Sequence, residues 1–201
     1  ITDKYVQPDA VSHYEKREGV LVVDDHFTLM NILTSKVSSK ELEKQMINIW
    51  RIGKYFSSCV EYTIPERVSL SGTPLNESLV ALRQILPKFQ RENKLQKVQC
   101  IILTDGEANP LARHVEIEGR RETYIGCRRL TPETSFIRDR KLGTTQQVGY
   151  EWNKFSKLLL TNLKQNFPQV NFIGIRVLVP RDANSFIRMN TTNSKEQEKV
   201  T

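Results

Sequence analysis

Two acids, Asp105 and Glu107, close an apolar run in the stretch Lys97-Val98-Gln99-Cys100-Ile101-Ile102-Leu103-Thr104-Asp105-Gly106-Glu107-Ala108-Asn109. Carboxylates at the end of a strand are hard oxygen donors, suited to a divalent cation or to a cationic ligand. Upstream, Ser71-Gly72-Thr73-Pro74-Leu75 offers hydroxyls at the mouth of a helix. Asp24, Asp25 and His26 are also ligand types, but adjacent residues on a strand point to opposite faces and do not converge on one ion without a turn. His13 and His114 stand alone and read as surface or loop histidines. A third chemistry is cationic: Arg113, Arg120, Arg121, Arg128, Arg129, Arg138, Arg140 and Lys141 crowd residues 110–149, against Glu116, Glu118, Glu122, Glu133 and Asp139. Nucleic-acid binding would want aromatic rings among these arginines, and only Tyr124 and Phe136 are there. Contact with a protein, or a solvated excursion, is the better reading of the block.

The elements that must position these residues follow from periodicity. The run at 97–103 is continuous and apolar, the pattern of a strand buried on both faces. In open α/β sheets ligands bind beyond the carboxyl ends of such strands, which is where Asp105 and Glu107 fall. Ahead of it, Thr73 is a suitable N-cap and Pro74 a suitable first helical residue. Leu75, Leu79, Leu82, Leu86 and Phe89 then recur at helical spacing, with Pro87 near the end. Earlier still, Ser38-x-x-Glu41 is a capping box, and Leu42, Met46, Ile49, Trp50, Gly53 and Phe56 give a helix over 39–57 whose Trp50 and Phe56 stripe predicts core packing. Gly19–Val23 reads as a short strand. Val115–Glu118 and Thr123–Ile125 around Gly119-Arg120-Arg121 predict a hairpin. A helix starts at Tyr150 and carries Trp152, Phe155, Leu159, Leu163 and Phe167 on one side, and a second buried-type strand spans 171–179, closed by Pro180. The order of helix, strand, basic excursion, helix and strand predicts a doubly wound α/β arrangement, with a polar tail from about 191 to 201.

Composition sets bounds on this. The 201 residues suffice for one domain with a sizeable core, and no segment approaches the run of about 20 apolar residues that spans a bilayer. A net charge of +7 permits acidic partners but on a chain this size is mostly a solubilising surface. Cys59, Cys100 and Cys127 are odd in number and widely spaced, which suits a reducing cytoplasm better than a disulfide scaffold. The first residues, Ile1-Thr2-Asp3-Lys4-Tyr5, have neither the basic start nor the apolar block of a signal peptide, and a start on Ile reads as a fragment.

Taken together and in order, Ser71-Gly72-Thr73-Pro74-Leu75 before a helix and Thr104-Asp105-Gly106-Glu107 after the next strand resemble a von Willebrand factor A domain. That family's adhesion site combines an Asp-x-Ser-x-Ser loop after the first strand, a Thr in a Gly-Thr-Pro-like loop, and an Asp in an Asp-Gly loop after the fourth strand. Thr73 matches the second part and Asp105 the third, with Ser71, Gly72, Gly106 and Glu107 in the surrounding loops. The resemblance covers residues 68–109 best, and 150–179 fit the next helix and strand of that fold. The long excursion is similar to that of CobT-type cobaltochelatase subunits, whose relatives also occur in large tailed bacteriophages as partners of MoxR-like AAA+ ATPases. The resemblance implies a doubly wound (Rossmann-like), mostly parallel sheet over 1–190, with a basic insertion at 110–149. No Asp-x-Ser-x-Ser occurs in the chain, so the expectation is that the first strands are missing, that the strand at 97–103 has an open edge, and that Mg2+ binding is weak or absent.

The function so implied is a non-catalytic, magnesium-assisted protein-binding module in the cytoplasm, or the host cytoplasm for a phage protein, as the partner of an AAA+ subunit. Two other readings stand beside it. Asp105 and Glu107 would suit a magnesium-dependent phosphoryl-transfer enzyme or nuclease, although no nucleophile or phosphate-cradling loop accompanies them. Alternatively, Arg120, Arg121, Arg128 and Arg129 would serve a nucleic-acid-binding accessory protein. The plain alternatives are a helix cap for Thr73 and a turn residue for Asp105.

Overall fold

The computed structural model describes residues 16–22, 27, 29–57, 68, 72–106, 108–109, 111–131, 135–148 and 152–190. His13, Asp24, Asp25, His26, Cys59, Ser71, Glu107 and the tail from 191 lie outside them. Helix α1 (Ser39–Ser57) has the predicted bounds. Its start shows the serine half of the capping box: Ser38 Oγ accepts the Glu41 N–H at 3.3 Å, and the Ser38 carbonyl takes that of Leu42 at 2.9 Å. Helix α2 (Leu75–Asn93) keeps Pro87 inside it and ends on Lys94 in the left-handed conformation. The Lys94 and Leu95 N–H groups then donate back to the Arg91 and Gln90 carbonyls, satisfying the last turn.

Strand β2 (Val98–Thr104) pairs in parallel with β7 (Val170–Arg176), from Val98 opposite Val170 to Thr104 opposite Arg176. Helix α3 (Trp152–Asn166) packs on both α2 and β7. Leu86, Val98 and Val170 form the core between them, with Leu82, Cys100, Phe167 and Phe172 packed around it. Between β2 and α3 the chain builds two antiparallel units. One is β3 (Ala112–Glu118) with β4 (Thr123–Arg129), the predicted hairpin, which β1 (Leu21–Val22) extends as a third strand. The other is β5 (Phe136–Asp139) with β6 (Thr144–Gln147), turning through Gly143 at positive φ. The described residues thus form a mixed α/β fold with four helices and three small sheets, two of them antiparallel. None of the helices is long and apolar enough to cross a membrane.

Five expectations are corrected. β2 is buried on one face only: Val98, Cys100 and Ile102 turn towards the helices, while Ile101 and Leu103 are 59% and 66% exposed. A near-continuous apolar run does not say whether a second layer covers its far side. No residue of α1 is buried, and Trp50 and Phe56 are exposed, so their spacing records an apolar face that the described residues do not bury. Thr73 does not cap α2, which begins after Pro74 with no side-chain cap. Pro180 does not simply end a strand; it opens helix α4 (Pro180–Asn190), where its fixed φ suits a first turn. His114 is buried at 2% exposure inside β3 rather than lying on the surface.

Candidate functional site

The carboxyl end of β2 and the entry to α2 meet at two glycines. A Cβ on Gly106 would sit 2.6 Å from Thr73 Oγ1, and one on Gly72 would sit 2.6 Å from Asn109 Nδ2. Real Cβ atoms do not approach so closely, so glycine is what allows the two loops to touch. Gly72 also has φ of 69°, a conformation that costs a side-chain-bearing residue strain. The sequence places Thr73 and Asp105 32 positions apart, and the fold brings their loops into one crevice.

Backbone and side-chain bonds fix each wall. Thr104 Oγ1 donates to the Gly106 carbonyl at 3.1 Å and accepts the Gly106 N–H at 3.3 Å, closing the turn that carries Asp105. The Thr73 carbonyl accepts the Leu75 and Asn109 N–H groups at 2.8 and 3.1 Å. Behind it Asn76, only 1% exposed, donates to the Asn109 carbonyl at 2.8 Å and accepts from Ser156 Oγ at 2.7 Å. Asn76 therefore ties α2, the loop after β2 and α3 together. The Asp105 carboxylate is exposed, and Thr73 is half-buried with its hydroxyl over Gly106 rather than spent on the helix. The Thr73 hydroxyl and the Asp105 carboxylate thus belong to two touching loops, and oxygens of these types are what a hard divalent cation carrying most of its water takes. Among the described residues, no three His, Cys, Asp or Glu side chains gather around a common point.

Of the residues singled out in the sequence, Gly72, Thr73, Asp105 and Gly106 come together here. The arginines lie elsewhere: Arg120 and Arg121 occupy the turn of the β3–β4 hairpin, while Arg128 and Arg129 end β4, opposite Arg113 and Ala112. All four are exposed. Arg113 and Arg128 share a hairpin face with the exposed Tyr124, since alternate residues of a strand point the same way. On the other face His114 Nδ1 lies 3.9 Å from Cys127 Sγ.

Sequence reasoning missed Asn76, Asn109 and Ser156. It also missed a buried polar hub on Asp139, whose side chain is 1% exposed. Asp139 Oδ2 accepts from Asn166 Nδ2 at 2.6 Å, Asn162 Nδ2 at 2.8 Å and Arg83 at 3.1 Å, and Oδ1 accepts the N–H groups of Lys141 and Leu142. The Asn166 and Asn162 bonds, more than the Arg83 charge, hold this carboxyl well below the usual carboxylate range. Fully satisfied and closed to solvent, Asp139 anchors the β5–β6 hairpin onto α2 and α3. No protein-family model, curated protein or solved structure matches this chain.

Proposed function

We propose that the chain is a non-catalytic protein-binding module of the von Willebrand factor A type, in which Thr73 and Asp105 hold a magnesium ion weakly and an acidic partner completes its shell. One observation carries this reading: the Thr73 hydroxyl is freed from helix capping and lies against Gly106, beside the Asp105 turn. A plain cap or a plain turn residue would not require the two loops to close on each other. Ser71 and Glu107 adjoin Gly72 and Gly106 in sequence. When bound, the ion supplies a positive site for a carboxylate, and the chain contributes the rigid crevice. In this reading the β2–β7 pair belongs to a doubly wound, mostly parallel sheet, and an AAA+ subunit is the class of partner. The test is calorimetric titration with a glutamate-rich peptide. Binding should require Mg2+ and weaken at least tenfold with chelator or with Asp105→Ala. Binding indifferent to both refutes the metal-assisted mechanism.

A second reading draws on the β3–β4 hairpin. Arg113, Arg128 and Tyr124 on one face combine cations with a ring on which a base can stack. This favours contact with single-stranded nucleic acid and predicts a strong salt dependence.

A further inference from the structure

A cavity of about 280 Å3 opens between α2, α3 and the carboxyl-terminal half of the parallel pair, just below the range of about 300–1,000 Å3 usual for small-molecule sites. Leu79, Ile102, Leu160 and Phe172 wall it. Its floor is Gly174, which takes the helix-facing register position between Phe172 and Arg176, directly opposite Ile102. A Cβ built on Gly174 would meet nothing within 4 Å. That position in a parallel strand under two helices normally carries a bulky apolar side chain, so the missing side chain creates the space. Lys157 and Arg176 stand at its edge, and the described residues that line it include no acid. The Arg176 guanidinium lies 4.6 Å from the centre of the Phe186 ring of α4, which restricts where the charge can point.

We propose that this cavity binds a small amphipathic carboxylate, its apolar body between α2 and α3 over Gly174 and its carboxylate between Lys157 and Arg176. The physics is that of a binding pocket: apolar walls contribute affinity, and a few polar groups fix orientation and sign of charge. An arginine guanidinium offers a carboxylate two parallel donors, which an alcohol cannot exploit fully and an ammonium cannot exploit at all. The site shares the Thr104 wall with the Thr73–Gly106 crevice but uses neither Thr73 nor Asp105, so it stands whether or not a cation binds there.

The test uses octanoate, octan-1-ol and octylammonium as probes on the full chain, followed by calorimetry and methyl-resolved NMR. Octanoate should bind saturably, shift the methyl signals of Leu79, Ile102 and Leu160, and bind at least tenfold more tightly than either of the others. Gly174→Leu, which fills the floor, should abolish binding while leaving the protein folded. Lys157→Gln should weaken octanoate about tenfold and leave octanol unchanged, a result that stands even if the Gly174 variant fails to fold. Equal affinity for the three probes, shifts confined to other methyl groups, octanoate binding unchanged by Lys157→Gln, or an absence of saturation would each overturn the proposal.

Discussion

Asp139→Ala is the most informative single substitution for the fold. It removes the acceptor for five donors drawn from α2, from α3 and from the following turn. The five are not equal. Lys141 and Leu142 sit in an open turn, where water replaces much of what is lost. Arg83 is partly exposed and keeps its 2.5 Å bond to Asn162 Oδ1, so its share of the ion pair is small. The cost falls on the buried amides of Asn162 and Asn166, of which only Asn166 retains another acceptor, the Asn162 carbonyl at 3.0 Å. A buried donor left without its partner costs about 1–3 kcal/mol, so the variant should lose about 3 kcal/mol in total. Urea denaturation should show the midpoint falling with the slope retained, and hydrogen exchange should accelerate first in the β5–β6 hairpin. The pH dependence has a definite sign. The folded carboxyl is held below its unfolded value, so the folded state binds fewer protons and stability rises with pH through that range. Asp139 therefore contributes fully above the ordinary carboxylate pKa of about 4, and its contribution fades as pH falls below that value. The wild type should lose stability more steeply than Asp139→Ala on acidification. A variant within about 0.5 kcal/mol of wild type, the range of an ordinary surface change, with an unchanged acid limb, would refute the assignment of Asp139 as the anchor.

Three further outcomes are expected from the packing and the sites. Leu163, 1% exposed on α3, should cost about 3 kcal/mol as Leu163→Ala in the same denaturation assay, because a cavity would open where the side chain is fully enclosed. Of the two described free thiols, Cys127 should be alkylated by iodoacetamide well before Cys100, whose burial pushes its pKa up and reduces its thiolate; mass mapping of a time course that shows equal rates contradicts this. If the hairpin contacts single-stranded nucleic acid, neutralising Arg120, Arg121, Arg128 and Arg129 together should flatten the slope of log affinity against log salt by about 3, four contacts at roughly 0.7 each. An unchanged slope removes that reading.

Local signals in the chain were strong enough to give α1, α2, the β3–β4 hairpin, α3 and both strands of the parallel pair, because each combines a cap or turn residue with clear periodicity. The meeting of the Thr73 and Asp105 loops was also legible, since consecutive helix and strand leave their ends at the same edge. What stayed hidden depends on contacts remote in sequence. Asn76, Asn162 and Asn166 are polar residues at buried helical positions, and only the neighbouring elements show why they are tolerated. Asp139 looked like one acid among many in a charged stretch, and the strands beside it, Phe136–Asp139 and Thr144–Gln147, are too short and polar to announce themselves. Pro180 was ambiguous in principle, since the same fixed φ that ends a strand also opens a helix. The exposed apolar residues of α1 and of the outer face of β2 show that an apolar pattern identifies a face without naming what covers it.

In the proposed function, Thr73 and Asp105 form one cation-binding crevice at the end of β2. Titrating the protein with Mn2+ and following paramagnetic broadening of backbone amides tests it directly. Broadening should centre on Thr73, Asp105 and Gly106, be displaced by excess Mg2+, and vanish in Asp105→Ala and in Gly106→Val, whose side chain would push Thr73 aside. Broadening spread over the surface acids, or focused on the crevice but unchanged in both variants, would contradict the account.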